Sequence, residues 1–512
     1  MLTCAKGAGL MGIDGFIVTV ECNCTKALPN FEIVGLPDAA VKESKQRVET
    51  AIMNTGITCA DMSYRINLAP ADMRKEGSAL DLAIAVSILK GRKTLSEECD
   101  LSDKMFIGEL SFSGSLSPVK GVLSMTLAAA ENGIKEVYVP AVCAAEAAVV
   151  KGVTVYPVET LSSLIFHLNK ADRIAPAKEA EFYDSSEPKD ALDFADVKGQ
   201  ERVKRALEIA AAGGHNVLLI GPPGSGKSML AKRMPSIMPP MTFAEAVETT
   251  KIHSASGILR HGESLVRERP FRSPHHTMSA PSLVGGGRIP MAGEVSLAHN
   301  GVLFLDELPE FPKVVTESLR QPMEDGKVTV TRAMGRFTFP SSFMLIAAMN
   351  PCKCGYYGSK AKKCTCKADD IKKYLSKISG PLLDRMDIQI EVPALGFDEL
   401  SDTTPAEPSS VVRGRVCKAR AAANRRFEES GSSITCNAAM TTREIREHCK
   451  IDAAATAVLK RAFDAAGMSG RGYDRVLRVA RTIADLDGSE EITAAHVAEA
   501  VQLRTLDRKY FS

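Results

Sequence analysis

A glycine-rich octapeptide at residues 221–228, GPPGSGKS, has the residue types needed to bind nucleotide phosphates. Its members are Gly221, Pro222, Pro223, Gly224, Ser225, Gly226, Lys227 and Ser228. The glycines let backbone N–H groups surround phosphate oxygens, Lys227 can reach the β- and γ-phosphates, and the Ser228 hydroxyl can ligate Mg²⁺. An apolar run at 217–220 precedes the loop and the helix-forming run MLAKRM follows it. We therefore expect ATP and Mg²⁺ to bind here, rather than an empty glycine turn.

Two further apolar runs end in polar residues that suit ATP hydrolysis. The run GVLFL at 301–305 ends in Asp306 and Glu307. Asp306 can hold Mg²⁺, and Glu307 can activate the attacking water as a general base. The run FMLIAAM at 343–349 ends in Asn350, an amide that can contact the γ-phosphate. An acidic pair at a strand end is often only solvated, but behind a phosphate loop the catalytic interpretation is favoured.

Arginines in two later segments could complete such a site. Arg385 lies in GPLLDRMDIQIEV, and Arg471 and Arg475 lie in RGYDRVLRVARTIADL. Arginine suits both places because its guanidinium is always charged and can span two phosphate oxygens. For either segment alone, a surface salt bridge to a neighbouring aspartate is the alternative.

Four cysteines follow Asn350 directly and form a candidate metal site. They are spaced C-x-C, nine residues, C-x-C, at Cys352, Cys354, Cys364 and Cys366. Four thiolates at this spacing, with glycines that allow a sharp turn, can close a tetrahedral Zn²⁺ site. The alternative is a reduced, lysine-rich loop.

Length and composition limit the remaining possibilities. A chain of 512 residues exceeds the size of a single hydrophobic core, so about three domains are expected. The 64 basic and 62 acidic residues give a net charge of +2, which excludes a histone-like cationic surface and leaves only a local nucleic-acid site. No apolar run reaches the roughly 20 residues that cross a bilayer. We expect a cytoplasmic protein with no membrane partner, whose 13 cysteines stay reduced.

Two segments rich in Pro, Ser and charge divide the chain and are predicted linkers, at 171–191 and 401–410. Residues 1–170 alternate short β-type runs with helical runs, which predicts an α+β domain. Residues 192–400 contain the phosphate loop and are predicted to form an α/β core around a parallel sheet. Residues 411–512 have apolar residues at helical spacing and are predicted to be a helical domain.

The N-terminal part resembles a known protease domain in two segments, INLAPADMRKEGSALDLAIAVSIL and GELSFSGSLSPVKGVLSMTLAAAENGIKEVYVP. They resemble the proteolytic domain of Lon proteases, whose fold is related to ribosomal protein S5. Lon proteases use a Ser–Lys pair, but here the nucleophile position falls on Ala79, beside Ser78, and the lysine position on Leu123. Because no lysine is present to activate a serine, the domain is interpreted as a scaffold or interaction domain rather than a peptidase.

The rest of the chain resembles the AAA+ ATPases in the order of its motifs. The segments HNVLLIGPPGSGKSMLAKR, RPFRSPHHTMSAPSLVGGGRIPMAGEVSLAHNGVLFLDEL and AAMNPCKCGYYG are most similar to the magnesium-chelatase-like subfamily called YifB or ComM. This resemblance implies a parallel-sheet core with a helical lid, assembled as a ring, with a hexamer expected. It also implies that Arg385 is an arginine finger for a neighbour's ATP and Arg471 the lid sensor, with Arg475 as the alternative.

The resemblance also suggests where DNA, single-stranded or branched, would bind. Residues 272–290 lack core-like periodicity and are interpreted as an insertion. Related helicases place such an insertion, and a hairpin before the sensor strand, toward the ring pore. The matching hairpin here is GKVTVTRAMGRFTF, in which Lys327, Arg332 and Arg336 could contact phosphates. The alternative is a solvated hairpin edge.

Three functions are therefore considered for the chain. The first is an ATP-driven ring helicase that migrates branched DNA, as the resemblance to ComM implies. The second is a chelatase-type motor that remodels a protein partner so that Mg²⁺ enters a porphyrin. The N-terminal domain and the four-cysteine loop are foreign to that motor, which favours the first. A nucleotide-dependent scaffold without hydrolysis is disfavoured because both Asp306 and Glu307 are present.

Overall fold

A computed structural model describes most of the chain. The described residues are 1–59, 62–179, 192–287, 290–332, 335–359, 362–401, 406–466, 468–504, 506 and 510–511. Residues 180–191 and 402–405 of the predicted linkers therefore lie outside the described residues. Within these ranges no helix is long and apolar enough to span a membrane.

The secondary structure mixes helices and strands along the whole chain. The strands are β1 (Leu2–Met11), β2 (Asp14–Thr25), β3 (Asn30–Val34), β4 (Ser63–Ala69), β5 (Lys104–Phe106), β6 (Glu109–Leu110), β7 (Leu116–Ser117), β8 (Glu136–Pro140), β9 (Thr154–Val158), β10 (Val217–Ile220), β11 (Phe271–Arg272), β12 (Gly285–Gly286), β13 (Met291–Ala292), β14 (Val302–Leu305), β15 (Lys327–Arg332), β16 (Gly335–Pro340), β17 (Met344–Met349) and β18 (Ile388–Glu391). The helices are α1 (Ala39–Asn54), α2 (Asp81–Gly91), α3 (Val122–Glu131), α4 (Ala144–Ala147), α5 (Leu161–Leu168), α6 (Glu201–Gly213), α7 (Lys227–Lys232), α8 (Met234–Ile237), α9 (Phe243–Ser256), α10 (Ala280–Val284), α11 (Glu294–Leu297), α12 (Lys313–Ser318), α13 (Arg320–Asp325), α14 (Ala368–Leu375), α15 (Gly380–Leu383), α16 (Phe397–Ser401), α17 (Ser409–Glu429), α18 (Thr442–His448), α19 (Ala453–Ala466), α20 (Gly470–Leu486) and α21 (Ala494–Gln502).

The chain forms two compact units rather than three separate domains. Unit 1 comprises residues 1–183 and 242–266, and unit 2 comprises 184–241 and 267–512. This division differs from the predicted one in two ways. The segment 242–266 lies in unit 1, although it falls between the phosphate loop and the acidic strand. The C-terminal helices also share unit 2 with the predicted α/β core, because their apolar faces pack into the same hydrophobic core.

Unit 1 is built on a mixed seven-stranded sheet in the order β3-β4-β2-β1-β5-β8-β9. Its strand β1 was not predicted, since its sequence LTCAKGAGLM is rich in small residues. The small residues are required by packing against α2: a β-carbon on Gly7 would lie 2.8 Å from a methyl carbon of Leu80 and 3.0 Å from Ala83 Cβ. The chain start is therefore an internal strand of this sheet.

The segment 242–266 is held in unit 1 by α9, which packs against α3. Ser254 on α9 accepts a hydrogen bond from Gly121 N (2.9 Å) and donates one to the buried Glu146 carboxylate. Glu146 also accepts a hydrogen bond from Leu123 N (2.7 Å). Burial raises the pKa of Glu146, although the hydrogen bonds from Ser254 and Leu123 act to lower it. Leu123, at the position that the Lon resemblance aligns with a lysine, is fully buried.

Unit 2 is built on a five-stranded parallel sheet in the order β11-β14-β17-β10-β18. Every residue of β10, β14 and β17 is buried, as expected for parallel strands covered on both faces. The carboxyl ends of parallel strands meet at one edge of the sheet, so the residues that follow these three strands share that edge. This confirms the predicted mixed α/β class with a parallel sheet; the Lon-like character of unit 1 stays a prediction.

Candidate ATP site and its surroundings

The phosphate loop follows β10 and has the backbone conformation that its glycines allow. Gly224 (φ +76) and Gly226 (φ +88) are left-handed, a region that residues with a β-carbon rarely adopt. A β-carbon on Gly221 would lie 2.2 Å from Val392 O, so only glycine fits beside the end of β18. The conformation of the loop therefore depends on glycine at these positions.

Lys227, the first residue of α7, is buried inside the loop. Its Nζ donates to Gly221 O (2.9 Å), Pro222 O (2.9 Å) and Asn350 Oδ1 (3.2 Å). Burial lowers the pKa of Lys227, whereas the charges of Asp306 and Glu307 act in the opposite direction. The predicted lysine and the predicted sensor amide are thus in direct contact.

The two residues predicted to hold Mg²⁺ are also in contact. Ser228 Oγ donates to Asp306 Oδ2 (2.5 Å), and Glu307 N donates to Asp306 Oδ1 (2.9 Å). A hydroxyl and a carboxylate are oxygen ligands of the kind that Mg²⁺ prefers. The donor set fits that ion, although the two residues lie 78 positions apart along the chain.

Glu307 has a strained backbone and a half-exposed side chain. Its φ of +52 and ψ of 45 are left-handed, which costs roughly 1–2 kcal/mol for a residue with a β-carbon. Its carboxylate lies 3.6 Å from Nδ1 of His276. His276 also packs edge-on against Phe311, with ring centroids 6.3 Å apart. The left-handed backbone sets the direction in which the Glu307 side chain leaves the strand end, and His276 lies beside its carboxylate.

Sequence reasoning missed His276 and Gln200 as neighbours of the site. His276 belongs to the loop after β11, and the sheet order that brings β11 beside β14 is not visible in the sequence. Gln200 Nε2 donates to Ser225 O (2.7 Å) and supports the phosphate loop from the start of α6. Gly199 was a usable signal, because glycine readily adopts the left-handed conformation that Gly199 and Gln200 have before α6.

Arg385 lies at the opposite edge of the sheet from the phosphate loop. The Asn216 side-chain amide, directly before β10, donates to Arg385 O (3.1 Å). The four residues of β10 therefore separate Arg385 from the loop by about 13 Å at about 3.3 Å per residue. The Arg385 guanidinium is bonded instead to the Glu324 carboxylate on α13.

The same edge holds Arg475, the alternative to Arg471 as a lid sensor. Its Nε lies 3.4 Å from Oδ1 of Asp387, a buried carboxylate that also faces His215 Nδ1 at 3.5 Å. Burial would raise the pKa of Asp387, but the His215 hydrogen bond and the Arg475 charge lower it. Arg471 is exposed and pairs with no residue in the described ranges. Arg475 thus has a structural partner, and a sensor role for Arg471 stays a prediction.

The four cysteines converge within the described residues, although 360–361 of the connecting loop lie outside them. The Sγ atoms of Cys352, Cys354 and Cys364 are 3.3–3.7 Å apart, and with Cys366 all four lie within 4.8 Å of one another. Sulfur atoms around tetrahedral Zn²⁺ are about 3.8 Å apart for a Zn–S bond of about 2.3 Å. Backbone N–H groups of Thr365 and Tyr356 lower the pKa of the Cys354 thiol to about 5. The four-cysteine site therefore has the composition and spacing of a metal site.

The predicted hairpin is formed by β15 and β16, which pair antiparallel with Val328 opposite Phe339 and Val330 opposite Phe337. Because side chains alternate along a strand, these residues form one apolar face. The other face is polar and carries Lys327, Thr329, Thr331, Arg336 and Thr338.

The three basic residues predicted to contact DNA do not share one face of this hairpin. Lys327 and Arg336 are exposed on the polar face. Arg332 lies on the same side of β15 as Val328 and Val330. Its Nε donates a hydrogen bond to Gly287 O (3.4 Å), in the insertion that contains β12. Arg332 therefore joins the hairpin to the insertion, whose residues 288–289 lie outside the described ones.

Comparisons with known proteins agree over almost the whole chain. The family model for magnesium chelatase subunit ChlI matches residues 193–400, a second ChlI model matches 20–142 and a C-terminal ChlI model matches 406–504. Competence protein ComM of Haemophilus influenzae is 41% identical over 501 residues, 97% of this chain and 96% of its own length. YifB of Escherichia coli is 40% identical over 508 residues, 97% of this chain and 96% of its own length. The Lon protease of Mycolicibacterium smegmatis is 27% identical over 146 residues, 27% of this chain and 18% of its own length.

Proposed function

This chain belongs to the magnesium-chelatase-like family of AAA+ ATPases that includes ComM and YifB, and we propose that it is an ATP-driven motor that moves along DNA. The family implies ATPase activity with ATP and Mg²⁺. Our proposal adds branch-migration helicase activity on recombination intermediates. A relative named as a competence protein supports a role in handling DNA that enters recombination.

The chemistry of hydrolysis is assigned to residues that lie at one edge of the unit 2 sheet. Lys227 would bind the β- and γ-phosphates, and Ser228 and Asp306 would hold Mg²⁺, which neutralises phosphate charge when it is bound. Glu307 would accept the proton of the attacking water, and Asn350 would contact the γ-phosphate through its amide. The contact between Lys227 and Asn350 supports placing both at the same phosphate.

The observation that carries the DNA proposal is the polar face of the hairpin. Lys327 and Arg336 are exposed there beside threonine hydroxyls, within the same unit as the ATP site. Cations and hydroxyls that contact phosphates give binding independent of base sequence, which a motor that moves along any DNA needs. Single-stranded or branched DNA is the proposed substrate.

We further propose that the active unit is a ring, with a hexamer expected. Arg385 is separated from its own phosphate loop by the length of β10, so as an arginine finger it would act on the ATP of a neighbouring subunit. Its ion pair with Glu324 would then be exchanged for phosphate oxygens at the subunit interface. Arginine fingers that act between proteins are well suited to this geometry because the guanidinium stays charged.

The four-cysteine site is proposed to hold structural Zn²⁺. The near-tetrahedral separation of three sulfur atoms and the closeness of the fourth support this assignment. Zn²⁺ binding would release the thiol protons and order a loop that contains several lysines.

The decisive experiment measures ATP hydrolysis and strand movement by the purified full-length chain with a four-way junction or a forked duplex. We expect DNA to stimulate ATP hydrolysis and ATP to drive strand separation or branch migration. The Glu307→Gln variant serves as the matched control, since it should bind both ATP and DNA without moving strands. Wild-type protein that hydrolyses ATP but neither binds nor moves DNA would refute the proposal.

That negative outcome would favour the second candidate, a motor that remodels a protein partner. The matches to ChlI models in all three parts of the chain are the observation in its favour. The match at residues 20–142 runs against the expectation that the N-terminal domain is foreign to a chelatase-type motor. Such a motor would hydrolyse ATP at the same rate with and without DNA, and its hydrolysis would respond to a protein partner instead.

A further inference from the structure

The loop that carries the four-cysteine site touches the phosphate loop directly. A β-carbon built on Gly355 would lie 2.4 Å from Cδ and 2.7 Å from Cγ of Pro223. Such distances are impossible for a real side chain, so the Gly355 backbone is in contact with the proline ring. Gly355 also has φ +84, which a residue with a β-carbon rarely adopts. Both its position and its conformation require glycine.

A second contact ties the same segment to the phosphate loop. Asn350 Oδ1 accepts from Lys227 Nζ (3.2 Å), and Gly355 lies on Pro223. Between these anchors lie Cys352 and Cys354, and the segment turns through a hydrogen bond from Gly355 N to Cys352 O (2.9 Å). A change in the positions of the Cys352 and Cys354 sulfur atoms would therefore also move Asn350 and Gly355, which contact the phosphate loop.

Besides the contact of Gly355 with Pro223 and the packing of Tyr357 against Tyr510, with ring centroids 6.2 Å apart, this loop buries little apolar surface. Of the described residues at 352–367, only Cys352 and Gly355 are buried, and more than half of the others are exposed, most of them lysines. A segment that buries so little apolar surface gains little free energy from folding. A metal bound by four thiolates supplies that free energy, since metal binding and ordering are then one process.

We propose that the metal at the four-cysteine site positions the phosphate loop for nucleotide, so that metal and nucleotide bind with positive coupling. This inference rests on the proposed Zn²⁺ site and concerns its regulation of the ATP site. The metal holds the turn at Gly355, and the turn holds Pro223. Coupling of two binding sites is reciprocal: if metal strengthens nucleotide binding by some factor, nucleotide strengthens metal binding by the same factor. We expect a factor of about 10, within the common range of about 5–150.

The first experiment measures both sides of this coupling in the full-length chain. The affinity for a fluorescent ADP analogue is measured for zinc-loaded, chelator-stripped and zinc-reloaded protein, and the zinc affinity is measured against a chromogenic chelator with and without ADP. We expect about a tenfold loss of ADP affinity on stripping, recovery on reloading and the same factor for zinc. One equivalent of zinc with unchanged ADP affinity overturns the inference and leaves the zinc site standing. Protein that binds no zinc overturns both.

A second experiment tests the contact itself with Gly355→Ala. Its added methyl group meets the Pro223 ring, so the variant should keep its zinc but lose nucleotide affinity and coupling. Gly431→Ala is the matched control, because Gly431 has φ +68 and nothing within 4 Å of its β-carbon position. Adding Pro223→Ala to Gly355→Ala removes the Cγ and Cδ atoms that clash, and should recover part of the affinity. Equal behaviour of the Gly355 and Gly431 variants, or no recovery in the double variant, would count against the contact.

Discussion

The two faces of the β15–β16 hairpin lead to a quantitative prediction about DNA binding. Lys327 and Arg336 are exposed on the polar face, whereas Arg332 contacts Gly287 in the insertion. We expect a variant with Lys327→Ala and Arg336→Ala to lose DNA affinity and salt sensitivity. Arg332→Ala should change the salt sensitivity less, because its charge is directed to a backbone carbonyl.

The expected magnitude follows from counterion release. Each phosphate neutralised by the protein contributes about 0.9 to the slope of log affinity against log salt for duplex DNA and about 0.7 for single strands. Two lost contacts should flatten the slope by about 1.8 or about 1.4 units. Between 50 and 200 mM salt, a fourfold change, the wild-type protein should therefore lose about 12-fold or about 7-fold more affinity than the variant.

The assay is fluorescence anisotropy of a labelled oligonucleotide titrated at several salt concentrations with a slowly hydrolysed ATP analogue. A variant with Lys372→Ala and Lys373→Ala removes the same charge from exposed positions on α14 and controls for net charge. Basal ATP hydrolysis should survive in both variants, since neither change touches the ATP site. An unchanged slope in the hairpin variant, or an equal change in the α14 control, would refute the assignment of the polar face to DNA.

Three further predictions concern the ATP and metal sites. Lys227→Ala should abolish nucleotide binding, whereas Glu307→Gln should bind ATP and lose about 10²-fold or more in hydrolysis, and equal losses of affinity in a nucleotide-binding titration would contradict these roles. Mixing Arg385→Ala protein with Lys227→Ala protein should restore some hydrolysis, because a mixed interface pairs an intact loop with an intact finger, and no recovery in rings shown to exchange subunits would argue against a finger. Protein purified without chelator should contain about one equivalent of zinc, measured by elemental analysis, and less than about half an equivalent would favour the lysine-rich loop without metal.

The parts of the site that the sequence predicted are those set by local chemistry. The residues after β10, β14 and β17 could be placed together because buried apolar runs predict parallel strands, whose carboxyl ends share one edge. The spacing of the four cysteines predicted that their sulfur atoms could meet, and they do. In these cases a short run of residues determines both the element and its end.

The parts that could not be predicted depend on contacts between distant segments. His276 reaches Glu307 only because β11 lies beside β14. The segment 242–266 joins unit 1 through the buried contact between Ser254 and Glu146, and neither residue signals a partner more than a hundred positions away. Strand β1 was missed for the same reason, since its glycines are explained by α2 rather than by strand propensity.

The hairpin also shows why residue type alone does not assign a DNA contact. Lys327, Arg332 and Arg336 are equally basic, but the register that pairs Arg332 with Gly335 and Thr331 with Arg336 places two of them on one face and one on the other. A one-residue shift of that register would exchange the faces. Val328 and Phe339 pair with each other and are both buried, which stabilises the observed register.

The placement of Arg385 bears on how the proposed ring would be assembled. Val217, at the start of β10, pairs with Ile388, three residues after Arg385, so the guanidinium and the phosphate loop lie at opposite ends of neighbouring strands. A subunit that offers a finger at one end of the sheet and needs one at the other would be satisfied by head-to-tail contacts with its neighbours. Repeated head-to-tail contacts satisfy every subunit only when the chain of contacts closes, which is a ring. In that proposed ring, the ion pair with Glu324 would be the state of Arg385 before a neighbour's phosphates replaced that carboxylate.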